Sequence, residues 1–131
     1  MDYKDLAKKW FDKGNNDLTA GKYLLSMPKP PADTICFHGQ QAVEKFLKSF
    51  LALHRREIPR IHDLEEVISL CEAIDSEFFE LYDISSELSS YAVEVRYPTE
   101  GDYDVSNEDA HRAIEIAEKI KKFILNKLKS S

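Results

Sequence analysis

Thr34-Ile-Cys-Phe-His-Gly-Gln-Gln-Ala-Val-Glu-Lys-Phe-Leu-Lys-Ser-Phe-Leu-Ala-Leu53 decides the fold of this 131-residue chain. Ile35, Ala42, Val43, Phe46, Leu47, Phe50 and Leu51 recur at three- and four-residue steps, laying one apolar stripe along a helix long enough to cross a small domain. Such a helix belongs in the core. Its other side carries His38, Gln41, Lys45 and Lys48 at the same steps, so a row of donors and an imidazole follows one edge. That edge is the first place to look for chemistry.

Upstream, Leu6, Trp10, Phe11, Leu18, Tyr23, Leu24 and Leu25 predict a first helix from Asp5 to about Ser26, with Gly14 and Gly21 as weak points costing roughly 1 kcal/mol each relative to Ala. Met27-Pro-Lys-Pro-Pro31 ends it, because proline lacks an amide donor and pushes the preceding residue toward an extended shape. Proline then suits the first turn of the central helix, near Pro31 to Asp33. Downstream, the segment with Pro59 is a connector, and the acids after His62 favour the start of a third helix with Leu64, Val67, Ile68 and Cys71 on its apolar face. A further helical pattern runs from about Glu77 to Val95, with serines that weaken it and a break expected near Asp83. Arg96 to Asp104 is loop by composition. Ser106 and Asp109 cap a last helix striped by Ala110, Ala113, Ile114, Ala117, Ile120, Ile124 and Leu128. No strand pattern appears. The expectation is an all-α fold, an antiparallel up-and-down bundle of four to five helices.

An apolar share of 43% and a charged share of 32% are those of an ordinary globular domain, and this length suits a single one spanning 1–131. No apolar run could cross a membrane and no signal peptide is evident, so a cytoplasmic protein is expected. Cys36 and Cys71 read as small buried thiols rather than a disulfide framework. A net charge of -6 argues against broad nucleic-acid binding but leaves room for a local basic site. His54-Arg-Arg-Glu-Ile-Pro-Arg-Ile-His62 is such a patch. The histidines do not repeat at ligand spacing and neither cysteine has a near partner, so neither a metal nor another cofactor is expected. No glycine-rich phosphate loop or nucleophile signature is present.

Phe37-His-Gly-Gln-Gln-Ala-Val-Glu-Lys-Phe-Leu-Lys48, then His62-Asp63-Leu64, then Arg96-Tyr97-Pro98, in that order and at those separations, resemble the HEPN domain. The resemblance covers nearly the whole chain. It implies a four- or five-helix bundle, commonly a homodimer, associated with nucleotide or RNA binding. Prokaryotic members are often encoded beside a small nucleotidyltransferase and act with it, toxin-antitoxin pairs included. Members that cut RNA without metal carry an arginine and, roughly four to six residues on, a histidine, which suit phosphate charge and proton transfer respectively. This chain departs from that pattern. After Arg96 the next histidine is His111, and Tyr97-Pro98 interrupts the helix the motif would need. Arg56 and His62 meet the spacing, but in the connector. The resemblance therefore implies a binding and interaction module, with a metal-independent endoribonuclease using Arg56 and His62 as the alternative.

The ligand-binding candidates are Arg96, Tyr97, His62, Lys45, Gln41, His38 and Arg60. Arg96 offers a fork of donors suited to phosphate, or caps its helix end; Tyr97 offers a ring for a base, or packs on a neighbouring helix. His62 caps the third helix or faces Arg96, forming an anion site with Lys45 or Arg60. His38 and Gln41 bind a ligand along the same row, or form a satisfied polar edge or a dimer contact. Trp10, Phe46, Phe50, Phe78, Phe79 and Phe123 fall at apolar positions, and most of them are expected in the core.

Overall fold

The computed structural model describes residues 2–93 and 105–130, which contain five α-helices, one 3₁₀ helix and, among the described residues, no strand. Helix α1 spans Tyr3–Leu25, α2 Ala32–Leu53, α3 Leu64–Glu72, α4 Tyr82–Val93 and α5 Asn107–Lys129, with the 3₁₀ helix at Ser76–Leu81. Local chemistry sets the starts. Asp2, Asp63 and Asp75 each accept an amide proton at a helix entrance, from Asp5, Glu65 and Glu77. Ser106 and Asp109 close a reciprocal capping box on α5, at 3.0 and 3.1 Å. Pro31 stands at the N-cap of α2, where its missing donor is no loss.

Contacts along the helices give the directions. Phe11 of α1 stacks on Phe46 of α2 at 5.0 Å, while Gly21 near the other end of α1 faces His38, so α1 and α2 are antiparallel. Gly39 of α2 lies against Ala113 of α5, and Phe50 reaches Phe123 through Phe78, so α2 and α5 run parallel. Glu87 of α4 meets Arg112 near the start of α5, whereas Glu77 of the preceding 3₁₀ helix meets Lys127 near its end, so the 3₁₀ helix and α4 run against α5. An up-down-up-down bundle results, with α3 an extra short helix. The α2 stripe read from the sequence is buried throughout, and Phe46, Phe50 and Phe78 lie at its centre, each burial worth roughly 1.5–3 kcal/mol.

Gly14 and Gly21 are not mere weak points. A Cβ at Gly14 would lie 2.7 Å from the Phe46 ring, so the glycine lets α1 close on α2. The break expected near Asp83 falls at Leu81 and Tyr82, where the 3₁₀ helix passes into α4. Phe79 is 68% exposed and touches Tyr82 at 5.9 Å, so it does not join the core. Among the described residues, no helix is long and apolar enough to cross a membrane.

Candidate functional site

The polar edge of α2 exists, but α1 supplies half of it. Nδ1 of His38 lies 3.1 Å from Oδ1 of Asp17, and Nζ of Lys45 meets the other oxygen of the same carboxylate. Helical geometry explains the sharing, because two α2 residues seven apart lie on one face and one acid on the facing helix reaches both. Gln41 sits between them, half-buried and without a side-chain hydrogen bond among the described residues.

Lys48 leaves that edge. Its side chain is only 4% exposed, with Nζ 2.9 Å from Oε2 of Glu44 one turn earlier and 5.7 Å from the Trp10 ring centre. Moving a lysine inward is tolerable only because Glu44 comes with it, and the pair share their desolvation cost. Glu44 has a second partner. Nδ1 of His62, in the connector before α3, lies 3.1 Å from the same carboxylate while the imidazole remains 69% exposed. His62 therefore ties the connector to α2 and leaves the capping of α3 to Asp63.

The sequence candidates thus divide. His38 and Lys45 come together on Asp17, with Gln41 between them, and His62 stands apart on Glu44. Arg60 and Arg56 are exposed on the connector. Arg96 and Tyr97 lie outside the described residues. Sequence reasoning passed over Asp17 and Glu44. Glu44 carried a signal in its four-residue spacing to Lys48, whereas Asp17 is separated from His38 by 21 positions and only the α1–α2 pairing brings it near.

A third cluster joins α4 to α5. Arg112 grips Glu87 with two nitrogens, at 2.7 and 3.0 Å, and the Tyr91 hydroxyl donates to the same carboxylate at 2.6 Å. The guanidinium first, then the tyrosine hydroxyl, hold the Glu87 carboxyl down at about 2. Glu87 in turn holds the Tyr91 phenol up at about 12. Burial pushes the Cys36 thiol to about 12 and raises that of Cys71 as well, so neither sulfur is a ready thiolate. Among the described residues no three His, Cys, Asp or Glu side chains gather to hold a metal ion.

The family model for the HEPN domain matches residues 7–128. No curated protein and no solved structure matches the chain.

Proposed function

The chain belongs to the HEPN domain family, and on that premise we propose that it is a binding and interaction module rather than an enzyme. In this reading it acts in the cytoplasm as a homodimer beside a small nucleotidyltransferase, in an arrangement of toxin-antitoxin type, and binds nucleotide or RNA phosphate through Arg96, Tyr97 and His62. The observation that supports it is how the basic side chains of α2 and the connector are engaged. His38, Lys45, Lys48 and His62 each face a carboxylate, Asp17 or Glu44, an arrangement that fixes helices and positions side chains more than it stores reactive groups. Lys45, Gln41, His38 and Arg60 are the further candidates for contact with that ligand.

Titration with ATP, GTP and a short RNA at low salt tests this, since phosphate contacts weaken as salt rises. Saturable binding that Arg96→Ala removes without lowering thermal stability is the expected result. Loss of stability with unchanged binding would make Arg96 structural. The partner is tested by mixing with a purified small nucleotidyltransferase of the kind this reading pairs it with. Co-elution is expected at micromolar concentration, and clean separation argues against the pairing.

One observation favours a second reading. His62 has one ring nitrogen on a buried carboxylate and the rest of its ring in solvent, the arrangement of an oriented general base. Paired with the exposed Arg56, it would make a metal-independent endoribonuclease, the imidazole moving a proton and the guanidinium stabilising phosphate charge. RNA cleavage that survives chelator and disappears in His62→Ala would establish this reading, and cleavage retained in that variant would dismiss it.

A further inference from the structure

Two cations without an acidic partner among the described residues, Lys4 and Arg55, stand at the end of the bundle where α2 finishes and α1 begins. Helix α2 stops in a capping turn in which the Arg56 amide bonds to the Leu51 carbonyl at 2.9 Å and the Arg55 amide to that of Ala52 at 3.0 Å. The turn needs a left-handed residue, and glycine would supply it freely. Arg55 holds the position instead, at φ 58°, a left-handed conformation that is strained for any residue with a Cβ. Its guanidinium lies 4.1 Å from the centre of the Tyr3 ring, which fixes the head group and leaves in-plane N–H donors available.

Around this pair is a cleft of about 350 Å³ lined by Tyr3, Lys4, Leu53, His54 and Arg55. No carboxylate lines it, and neither Lys4 nor Arg55 has an acidic partner among the described residues. Three nearby acids are engaged locally: Asp2 caps α1 through the Asp5 amide, Asp12 takes Lys8 at 2.7 Å, and Asp75, which faces His54 from the other side, takes Lys127 at 2.8 Å. A second cavity of about 470 Å³ shares Lys4 and Leu53 with the first; Ala7, Phe11, Leu125 and Leu128 give it an apolar floor, and the Lys8 and Asp12 ion pair completes its lining. A cationic cleft opening onto an apolar one fits a ligand with an anionic head and an uncharged body, in the volume range of small-molecule sites. A rigid guanidinium fork beside a lysine and a histidine matches a doubly charged phosphate better than a single carboxylate.

We propose that the Tyr3, Lys4, His54 and Arg55 cleft binds the phosphate of a phosphate monoester of nucleoside size, whose ring lies over Phe11, Leu53 and Leu128. This cleft shares no residue with the Arg96, Tyr97 and His62 group of the preceding reading, although the ligand chemistry is related. The strained residue, the ring that fixes its head and the unneutralised charge coincide at one place in a protein whose net charge is -6.

The test is an amide-resolved NMR titration of the whole chain with adenosine monophosphate, inorganic phosphate and adenosine at low salt. Arg55→Gly suits it, because glycine relieves the backbone strain while deleting the guanidinium, so the variant folds. Lys29→Gln, beyond the far end of α1, serves as the charge control. The expected result is saturable movement of the amides of Tyr3, Lys4, His54 and Arg55. Adenosine monophosphate should bind about tenfold more tightly than phosphate or adenosine alone, and Arg55→Gly should lose about tenfold or more, as deletion of a charge-assisted contact does. Lys29→Gln should bind as wild type. Equal binding in Arg55→Gly, or equal affinity for the monophosphate and inorganic phosphate, would overturn the proposal. Movement confined to the His62 region, or no movement anywhere, would also overturn it, and either would leave the preceding reading to its own test with ATP, GTP, RNA and the partner.

Discussion

Nδ1 of His62 lies 3.1 Å from Oε2 of Glu44, so a mostly exposed imidazole and an almost fully buried carboxylate meet at the boundary of the core. Lys48 reaches the same oxygen from inside at 2.9 Å. The carboxylate is thus held by two bases in very different surroundings, and their contributions to stability separate accordingly. Lys48 has no water to fall back on if Glu44 is neutralised. His62 does.

Glu44→Gln should therefore destabilise the fold by about 3–5 kcal/mol, because it leaves the Lys48 charge buried and unpaired. His62→Ala should cost under about 1 kcal/mol, since its contact with Glu44 is made from the solvent side. The double variant Glu44→Leu/Lys48→Met removes both charges at similar volume and should return close to wild type or exceed it. Urea midpoints at neutral pH read all three. A small effect of Glu44→Gln would show that Lys48 escapes to solvent.

The three core-facing glycines of α1 and α2 should respond to alanine in a set order. Alanine gains about 1 kcal/mol of helix propensity at each. At Gly39 the new methyl would stand 3.4 Å from the Ala113 carbonyl oxygen, ordinary contact, so Gly39→Ala should raise the melting temperature. At Gly21 the obstacle is the Cδ1 tip of Ile114 at 2.8 Å, which can turn aside, and the change should be near neutral. At Gly14 the obstacle is the packed Phe46 ring at 2.7 Å, with the Ala42 carbonyl oxygen at 3.1 Å behind it, so overpacking of about 1–3 kcal/mol should prevail. Thermal melts of the three variants decide the order, and a stable Gly14→Ala would mean that the ring has room to shift.

The bundle was legible because its signals are local. The stripe from Ile35 to Leu51, the prolines after Ser26 and the Ser106 and Asp109 cap each act within a few residues, and each survives in the structure. What the sequence hid depends on helix pairing. Gly14 reads as a weak helix position until Phe46 is placed against it, and Lys48 reads as a surface donor until Glu44 and Trp10 enclose it. Phe79 was misplaced because the 3₁₀ turn at Ser76–Leu81 shifts the periodicity, and it is Phe78 that turns inward. The pairings of Asp17 with His38 and of Arg112 with Glu87 carried no local mark, since they span 21 and 25 residues.

Arg55 should reverse the usual ranking of alanine over glycine. Both Arg55→Ala and Arg55→Gly lose the contact with the Tyr3 ring, so their difference isolates the backbone. At φ 58° alanine retains the left-handed penalty and glycine does not, so Arg55→Gly should be the more stable by about 1 kcal/mol. Denaturant unfolding of the two variants side by side gives the difference. Equal stabilities would show that α2 ends in another conformation once the arginine is gone.

Glu87 should shape the acid limb of stability. Its carboxyl sits at about 2 when folded against an ordinary 4.5, first through the Arg112 guanidinium and then through the Tyr91 hydroxyl. A depressed carboxyl binds fewer protons folded than unfolded, so its contribution is complete above pH 4.5 and is lost as pH falls toward 2. The side chain is 35% exposed, so solvent screening reduces that contribution to about 1 kcal/mol. Glu87→Gln should therefore lower stability at pH 7 by about that amount, with the gap to wild type closing between pH 4.5 and 2. Asp75, lowered mainly by its bond to Lys127, acts in the same direction, so the acid limb should become shallower without vanishing. Urea midpoints measured from pH 7 to pH 2 test this, and a gap that stays constant with pH would mean that Arg112 grips the amide as well as it grips the carboxylate.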